Sequence, residues 1–186
     1  MNPNELNNSL ENIIQQYSQS FAEKVFAEES AEEDDLMLIF GLTQTIKAGN
    51  RQYWGRELGM CWQRLVIEIC RQTRTDFRNA IREGKDELCD LVVGEDAIDT
   101  KYRVGSGDSG TLKKFRQYGS RLQELGFKPV LLVLRTDSLR QAINTCANSG
   151  WRVMSGDDSY AYIRETTGFD LQLWLQARKN RYSLPS

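Results

Sequence analysis

Two short runs, Leu88-Cys89-Asp90-Leu91-Val92-Val93 and Ala97-Ile98-Asp99-Thr100-Lys101-Tyr102-Arg103-Val104, meet at Gly94-Glu95-Asp96 and constrain this chain more than any other feature. β-forming residues on either side of a glycine turn read as an antiparallel hairpin. Helix and strand signals then alternate toward the C-terminus. A helix over 112–125 is capped by Thr111 and stopped by Gly126, Val130 to Leu134 reads as a buried strand, and a helix follows over 138–148. Trp151 to Met154 is a further strand and 169–180 a last helix. The order implies an α/β fold: a small mixed sheet flanked by helices on both sides.

Before the hairpin the pattern is helical. Leu6, Leu10, Ile13, Ile14 and Tyr17 predict a helix over 5–19, and the acidic run Glu28 to Asp35 suits the start of another through Leu36 to Ile46. Ala48-Gly49-Asn50 breaks the pattern. Leu58, Cys61, Trp62, Leu65, Val66 and Ile69 then form the apolar stripe of a long helix over 55–72. A further helical patch is expected over 75–83, closed by Gly84. At 186 residues, one domain over 1–186 is expected, with 1–47 as a helical, acidic N-terminal region and 55–180 as the core.

The chain has no histidine, which excludes Ser-His-Asp and Cys-His nucleophile systems and His-ligated zinc. Cys61, Cys70, Cys89 and Cys146 form no C-x-x-C pair and read as reduced, mostly buried thiols. No basic-then-apolar leader is present and the longest aliphatic run, Val130 to Leu134, is too short to span a bilayer. A cytoplasmic protein without a membrane partner is expected. The formal charge of −2 hides a dipolar chain, −8 over residues 1–40 and +7 over 101–186.

Strand alternation places Asp99, Lys101 and Arg103 on one face of the second hairpin strand and Ile98, Thr100, Tyr102 and Val104 on the other. An acid and a lysine on a core strand are costly to bury, so the strand is either a solvated edge, the seat of a structural ion pair, or a site. Asp90 on the preceding strand brings a second carboxylate beside Asp99, and two such groups repel unless a cation lies between them. Oxygen ligands alone suit Mg²⁺, which keeps most of its waters. With Lys101 holding or polarising an attacking water, such a site hydrolyses a phosphodiester. Glu95 and Asp96 are rival acids, but a turn accounts for them. Asp90 lies among apolar neighbours, where a charge lacks that explanation.

Asp90 followed by Asp99-Thr100-Lys101, behind an amphipathic helix, resembles the P-D-x(n)-[DE]-x-K pattern of restriction-endonuclease-like nucleases. The segments DAIDTKYRVGSGDSGTLKKFRQYG and FKPVLLVLRTD are similar to type II restriction endonucleases of the ApaLI-like kind. That resemblance implies the restriction-endonuclease-like core, Mg²⁺-dependent cleavage of double-stranded DNA to 5′-phosphate and 3′-hydroxyl ends, a homodimer, and a prokaryotic host. It also implies Asp90 and Asp99 as metal ligands, the Thr100 carbonyl as a further one, and Lys101 as the water-activating lysine. No proline precedes Asp90, and Gln63 falls where the family often has a helix glutamate, with Glu57 and Glu68 as nearby carboxylates. A repair or junction-resolving nuclease of the same fold and a non-catalytic DNA-binding relative are the alternatives.

The DNA-facing expectations rest on basic residues around the hairpin. Lys113, Lys114, Arg116 and Arg121 lie on the helix after the loop Gly105 to Gly110, which includes Ser106. Beside a metal site, Lys113, Lys114 and Arg116 suit phosphate contacts. Arg103 and Ser106 flank the same point. Lys47, Asn50, Arg51, Gln52 and Arg56 form a donor-rich stretch before the long helix, and Arg51 and Arg56 are taken as DNA contacts.

Overall fold

The computed structural model describes residues 29–105 and 109–184. The helix expected over 5–19 and Ser106 lie outside them.

The first elements are helical. Helix α1 (Asp35–Ile39) begins where the Asp34 carboxylate accepts the N–H groups of Leu36 and Met37, at 3.1 and 3.0 Å. The chain turns at Gly41, whose φ of 59° suits glycine, and restarts as α2 (Gln44–Gly49) under a Thr43 cap. The single helix expected over 36–46 is therefore two. Asn50 caps α3 (Arg51–Thr73), so that helix begins earlier than its apolar stripe. Leu58, Trp62, Val66 and Cys70 form its buried line, four residues apart.

The helix expected over 75–83 is absent, and two strand segments stand there instead. Strand β1 (Phe77–Asn79) pairs with β4 (Leu91–Val93), while β2 (Arg82–Glu83) and β3 (Asp86–Glu87) make a separate hairpin around Gly84, at φ 61°. Phe77↔Val93 and Asn79↔Leu91 are long-range pairs, and they override a weak local helical preference.

The expected hairpin is β4 with β5 (Asp96–Lys101), in the register Leu91↔Ile98 and Val93↔Asp96. Helix α4 (Ser109–Glu124) crosses to β6 (Lys128–Val133), and α5 (Arg140–Asn148) crosses to β7 (Arg152–Ser155). Helix α6 (Asp157–Thr167), which the sequence reading lacked, precedes the short α7 (Leu171–Gln176). The main sheet runs β1-β4-β5-β6-β7, antiparallel through β5 and parallel from β5 to β7. It is a mixed sheet flanked by helices and preceded by a helical region, consistent with a restriction-endonuclease-like fold.

Each sheet face has its own core. Leu36, Trp62, Val66, Ile98, Leu132 and Ile163 join α1, α3 and α6 to one face. Val92, Ala97, Phe115, Leu131, Cys146 and Trp151 join α4 and α5 to the other. Trp62 Nε1 donates to the Leu132 carbonyl at 3.3 Å, and Trp151 Nε1 to the Phe115 carbonyl at 2.8 Å. Gly119 admits Trp151: a Cβ there would stand 2.6 Å from Nε1. All four cysteines are free, three of them buried, as expected. Burial pushes the Cys70, Cys89 and Cys146 thiols up to about 11.

A polar network ties residues 29–37 to the ends of β5 and β6. The Tyr102 hydroxyl donates to Asp34 Oδ2 at 2.5 Å, and the buried Lys47 donates to that hydroxyl at 2.9 Å while pairing with Glu29. Arg135, whose side chain is 4% exposed, reaches Asp34 at 3.0 Å and Asp137 at 2.8 Å. It also donates to the Glu32 carbonyl at 3.1 Å. Farther along, the N–H groups of Asn180, Tyr182 and Leu184 donate to the carbonyls of Leu38, Ile39 and Phe40, at 2.8, 3.1 and 3.0 Å. Among the described residues no helix is long and apolar enough to cross a membrane.

Removing Arg135 leaves the Asp34 carboxylate without its cation and Asp137 with Arg103 alone. Arg135→Met is expected to lower unfolding free energy by about 3–5 kcal/mol, read from urea midpoints; a loss under about 1 kcal/mol refutes the assignment. Burial raises the Asp137 carboxyl, but Arg135 and the Ser30 N–H outweigh it and hold the pKa at about 2. Because that pKa is depressed, the stability it confers is present above pH 3.8 and lost as pH falls toward about 2. Asp137→Asn is expected to flatten the stability curve in that window.

Candidate active site

Asp90 stands one residue before β4, with its N–H donating to the Ile98 carbonyl at 2.9 Å. Its side chain reaches across to β5. Oδ2 accepts the Thr100 backbone N–H at 2.7 Å and the Thr100 hydroxyl at 2.6 Å. Oδ1 accepts from Nε2 of Gln63 on α3, at 2.5 Å. The carboxylate thus stands in for a ladder acceptor, and its place is set from two elements at once.

Asp99 is only 8% exposed and forms an ion pair with Lys101, two residues along the same strand. Lys101 Nζ also donates to the Thr100 carbonyl at 3.1 Å and lies 5.8 Å from the centre of the Phe115 ring. Its side chain remains 39% exposed. Thr100 therefore links both halves: its N–H and hydroxyl hold Asp90, and its carbonyl holds Lys101. Burial pushes the Asp99 carboxyl up to about 6; Lys101 opposes that rise, and the Asp90 and Glu87 carboxylates add to it. Burial disfavours the Lys101 ammonium, but Asp99 and Asp90 outweigh it and raise its pKa. The surroundings carry more negative than positive charge.

The rival acids are occupied elsewhere. Asp96 is the first residue of β5 rather than part of the turn, and it accepts from the Tyr162 hydroxyl at 2.7 Å. Glu95 is exposed and paired with Lys128. Glu57 pairs with Arg56 and Glu68 with Arg71, all on the exposed side of α3. Of Glu57, Gln63 and Glu68, it is Gln63 that hydrogen-bonds to Asp90.

The expected alternation holds through Tyr102 and then fails. Ile98 and Tyr102 enter the α3-side core, but Val104 enters the opposite one, because β5 ends at Lys101 and the chain bends at Tyr102. Arg103 turns to Asp137, at 3.1 Å. Lys113, Lys114 and Arg116 are exposed on α4; Lys114 lies 3.9 Å from Asp86, and Arg121 is held by Glu83 and Glu124. Arg51 and Arg56 are exposed at the start of α3. Lys47 does not join that donor-rich surface: it is 1% exposed, and burial lowers its pKa although the paired Glu29 carboxylate opposes the fall. Glu87, the third acid in the field of Asp99, and the Arg135–Asp137 pair were not singled out by the sequence reading. Glu87 ends β3, in a stretch between Gly84 and Leu88 for which no element was expected, and nothing local marks Arg135.

A mixed sheet with helices on both faces and an acid–lysine pair on its central strand defines a restriction-endonuclease-like α/β protein. The chain belongs to the ApaLI-like restriction endonuclease family, whose model matches residues 65–180. It is thereby a nuclease, and a DNA-binding protein by family. No curated protein and no solved structure matches it.

Gln63→Glu would set a second carboxylate against Asp90. The variant is expected to melt several degrees lower than wild type in EDTA, and to regain most of that difference in about 10 mM MgCl₂, as a cation offsets the repulsion. Equal melting temperatures of both proteins in EDTA refute the contact.

Proposed function

We propose that the chain is a type II restriction endonuclease: a homodimer that hydrolyses phosphodiesters in both strands of a palindromic site in double-stranded DNA, using Mg²⁺ and leaving 5′-phosphate and 3′-hydroxyl ends. The observation that carries this reading is the ion pair of the buried Asp99 with the partly exposed Lys101, with Asp90 fixed across the hairpin by Thr100.

The donor set fits a hard divalent cation. Two carboxylates and a backbone carbonyl offer oxygen only, in surroundings with an excess of negative charge. Among the described residues no three acid or thiol groups converge, so few protein ligands are available and water would complete the shell, as Mg²⁺ prefers. Asp90 and Asp99 would hold the ion, with the Thr100 carbonyl beside them. Such an ion supplies Lewis acidity to the phosphate and a more acidic water.

The protein's own part is placement. Thr100 and Gln63 orient Asp90, so its lone pairs are aimed before substrate arrives. Asp99 orients the Lys101 ammonium, which donates to the attacking water or to a non-bridging oxygen as charge accumulates on it. Helix α4, with Lys113, Lys114 and Arg116 exposed, offers phosphate contacts that position the duplex, and Arg51 and Arg56 offer donors at the start of α3.

Supercoiled plasmid incubated with protein and MgCl₂ is expected to give discrete fragments, and none in EDTA. Asp90→Asn, Asp99→Ala and Lys101→Ala are each expected to slow cleavage by about 10³-fold while keeping a native circular-dichroism spectrum. Near-normal cutting by any of the three removes that residue from the mechanism. Cutting confined to branched DNA would assign a junction-resolving enzyme, and binding without cutting a non-catalytic relative. Lys113→Ala with Arg116→Ala should weaken binding to all sequences alike and reduce the salt slope of log K by about 2; an unchanged slope places the duplex elsewhere.

A further inference from the structure

The β2–β3 hairpin lies outside the main sheet, and residues 82–87 enter neither core. A two-stranded ribbon without a core is marginal by itself, so its position rests on side-chain ties. Residues opposite one another in an antiparallel pair share a face. The register Glu83↔Asp86 puts both acids on the side of α4, where Glu83 pairs with Arg121 at 2.8 Å and Asp86 accepts from the Tyr118 hydroxyl at 2.7 Å. The register Arg82↔Glu87 gives the other face to one cross-strand ion pair. Three residues beyond Glu87 the chain reaches Asp90, and the Glu87 charge acts on the Asp99 carboxyl. The ribbon therefore stands at the edge of the candidate active site, beside the helix that exposes Lys113 and Arg116.

A second observation concerns the Arg82 side chain, which is 72% exposed. Its Nε and Nη2 donate to the same Glu87 oxygen, at 2.9 and 2.6 Å, which fixes one edge of the guanidinium and leaves the Nη1–Nη2 end open. At the tip, Lys85 is exposed beside Gly84, which turns the chain at φ 61° and where an added Cβ would meet nothing within 4 Å. The protein thus covers the α4 side of the ribbon and leaves its tip and Arg82 to solvent.

We propose that this ribbon enters the major groove of the duplex beside the scissile phosphate, and that Arg82 there reads a guanine. The inference rests on the endonuclease reading above. Three residues per strand extend about 10 Å at roughly 3.3 Å per residue, and the major groove is about 8.5 Å deep and about 12 Å wide, enough for a two-stranded ribbon. The minor groove, about 6 Å wide, is too narrow. The open end of the guanidinium matches the O6 and N7 acceptors of guanine bidentately. Glu87 is a positioning residue, holding the fork before DNA arrives. Lys85, a point charge at the tip, contacts a phosphate. All three acids of the ribbon are engaged by protein donors, so the groove meets its cations.

The test sequences two products of one pool of randomised duplexes: the ends cut by the full chain in MgCl₂, and the intact duplexes it retains in CaCl₂. Both are expected to share a motif with a guanine that wild type prefers about ten- to hundredfold over other bases. Arg82→Ala and Arg82→Lys should both lose that preference and keep the others, since lysine retains the charge but not the fork. Glu87→Gln should relax the same position by a smaller factor. Lys85→Ala should leave the motif unchanged and reduce the salt slope of log K by about 1. Three results overturn the proposal: no shared motif in wild type, a motif unaltered in both Arg82 variants, or a weakening uniform over all sequences, which would make Arg82 a phosphate contact. Retention of a motif that depends on Arg82, without any cutting, supports the ribbon as a reader and removes the endonuclease reading. Cutting at a motif indifferent to Arg82 does the reverse.

Discussion

A carboxylate that gives up water must find its compensation from the protein, and in this chain the Asp99 carboxylate finds it in Lys101 on its own strand. Two residues along a strand share a face, so the pairing is built into β5 once that strand forms. Forming it requires the neighbours. β4 fixes one edge, β6 the other through Asp99↔Leu131 and Lys101↔Val133, and α4 covers the face with Phe115. The ion pair is thus the point at which sheet register, helix packing and charge must agree.

Asp90 is a second acid, held by partners of its own, whose charge reaches Asp99. Its oxygens take an amide from α3 and two donors from Thr100, all neutral. Neutral donors orient its oxygens without supplying a counter-charge, so negative charge remains in excess there. Gln63 suits that arrangement because its amide donates, whereas a glutamate there would add charge to a place already rich in it. The segment that carries this chemistry lies within the stretch matched by the ApaLI-like family.

Much of this was legible from residue order. The Gly94 turn between two β-rich runs announced the hairpin, the period of Leu58, Trp62 and Val66 announced α3, and an acid and lysine two apart on a core strand announced the pair. What could not be read depended on partners distant in the chain. Phe77–Asn79 is a strand because β4 offers it an edge, and α6 follows β7 after the single residue Gly156, a break that a window of hydrophobicity blurs. Lys47 looked like a surface donor because Glu29 and Tyr102, which bury it, stand 18 and 55 residues away. Thr100 was singled out for its carbonyl, yet its hydroxyl and N–H prove as informative, since they are what reach Asp90.

The backbone bonds between 180–184 and 38–40 have a bearing on the chain's birth as well as its architecture. They close a loop spanning most of the described polypeptide, a contact of very high sequence separation whose entropy must be met before α1 is secured. Emerging from the ribosome, a chain still short of residue 180 lacks that clasp, and with it one anchor for the Asp34 tie to Tyr102, next to Lys101. Seating of the segment around Lys101 in this sense waits on residues 180–184.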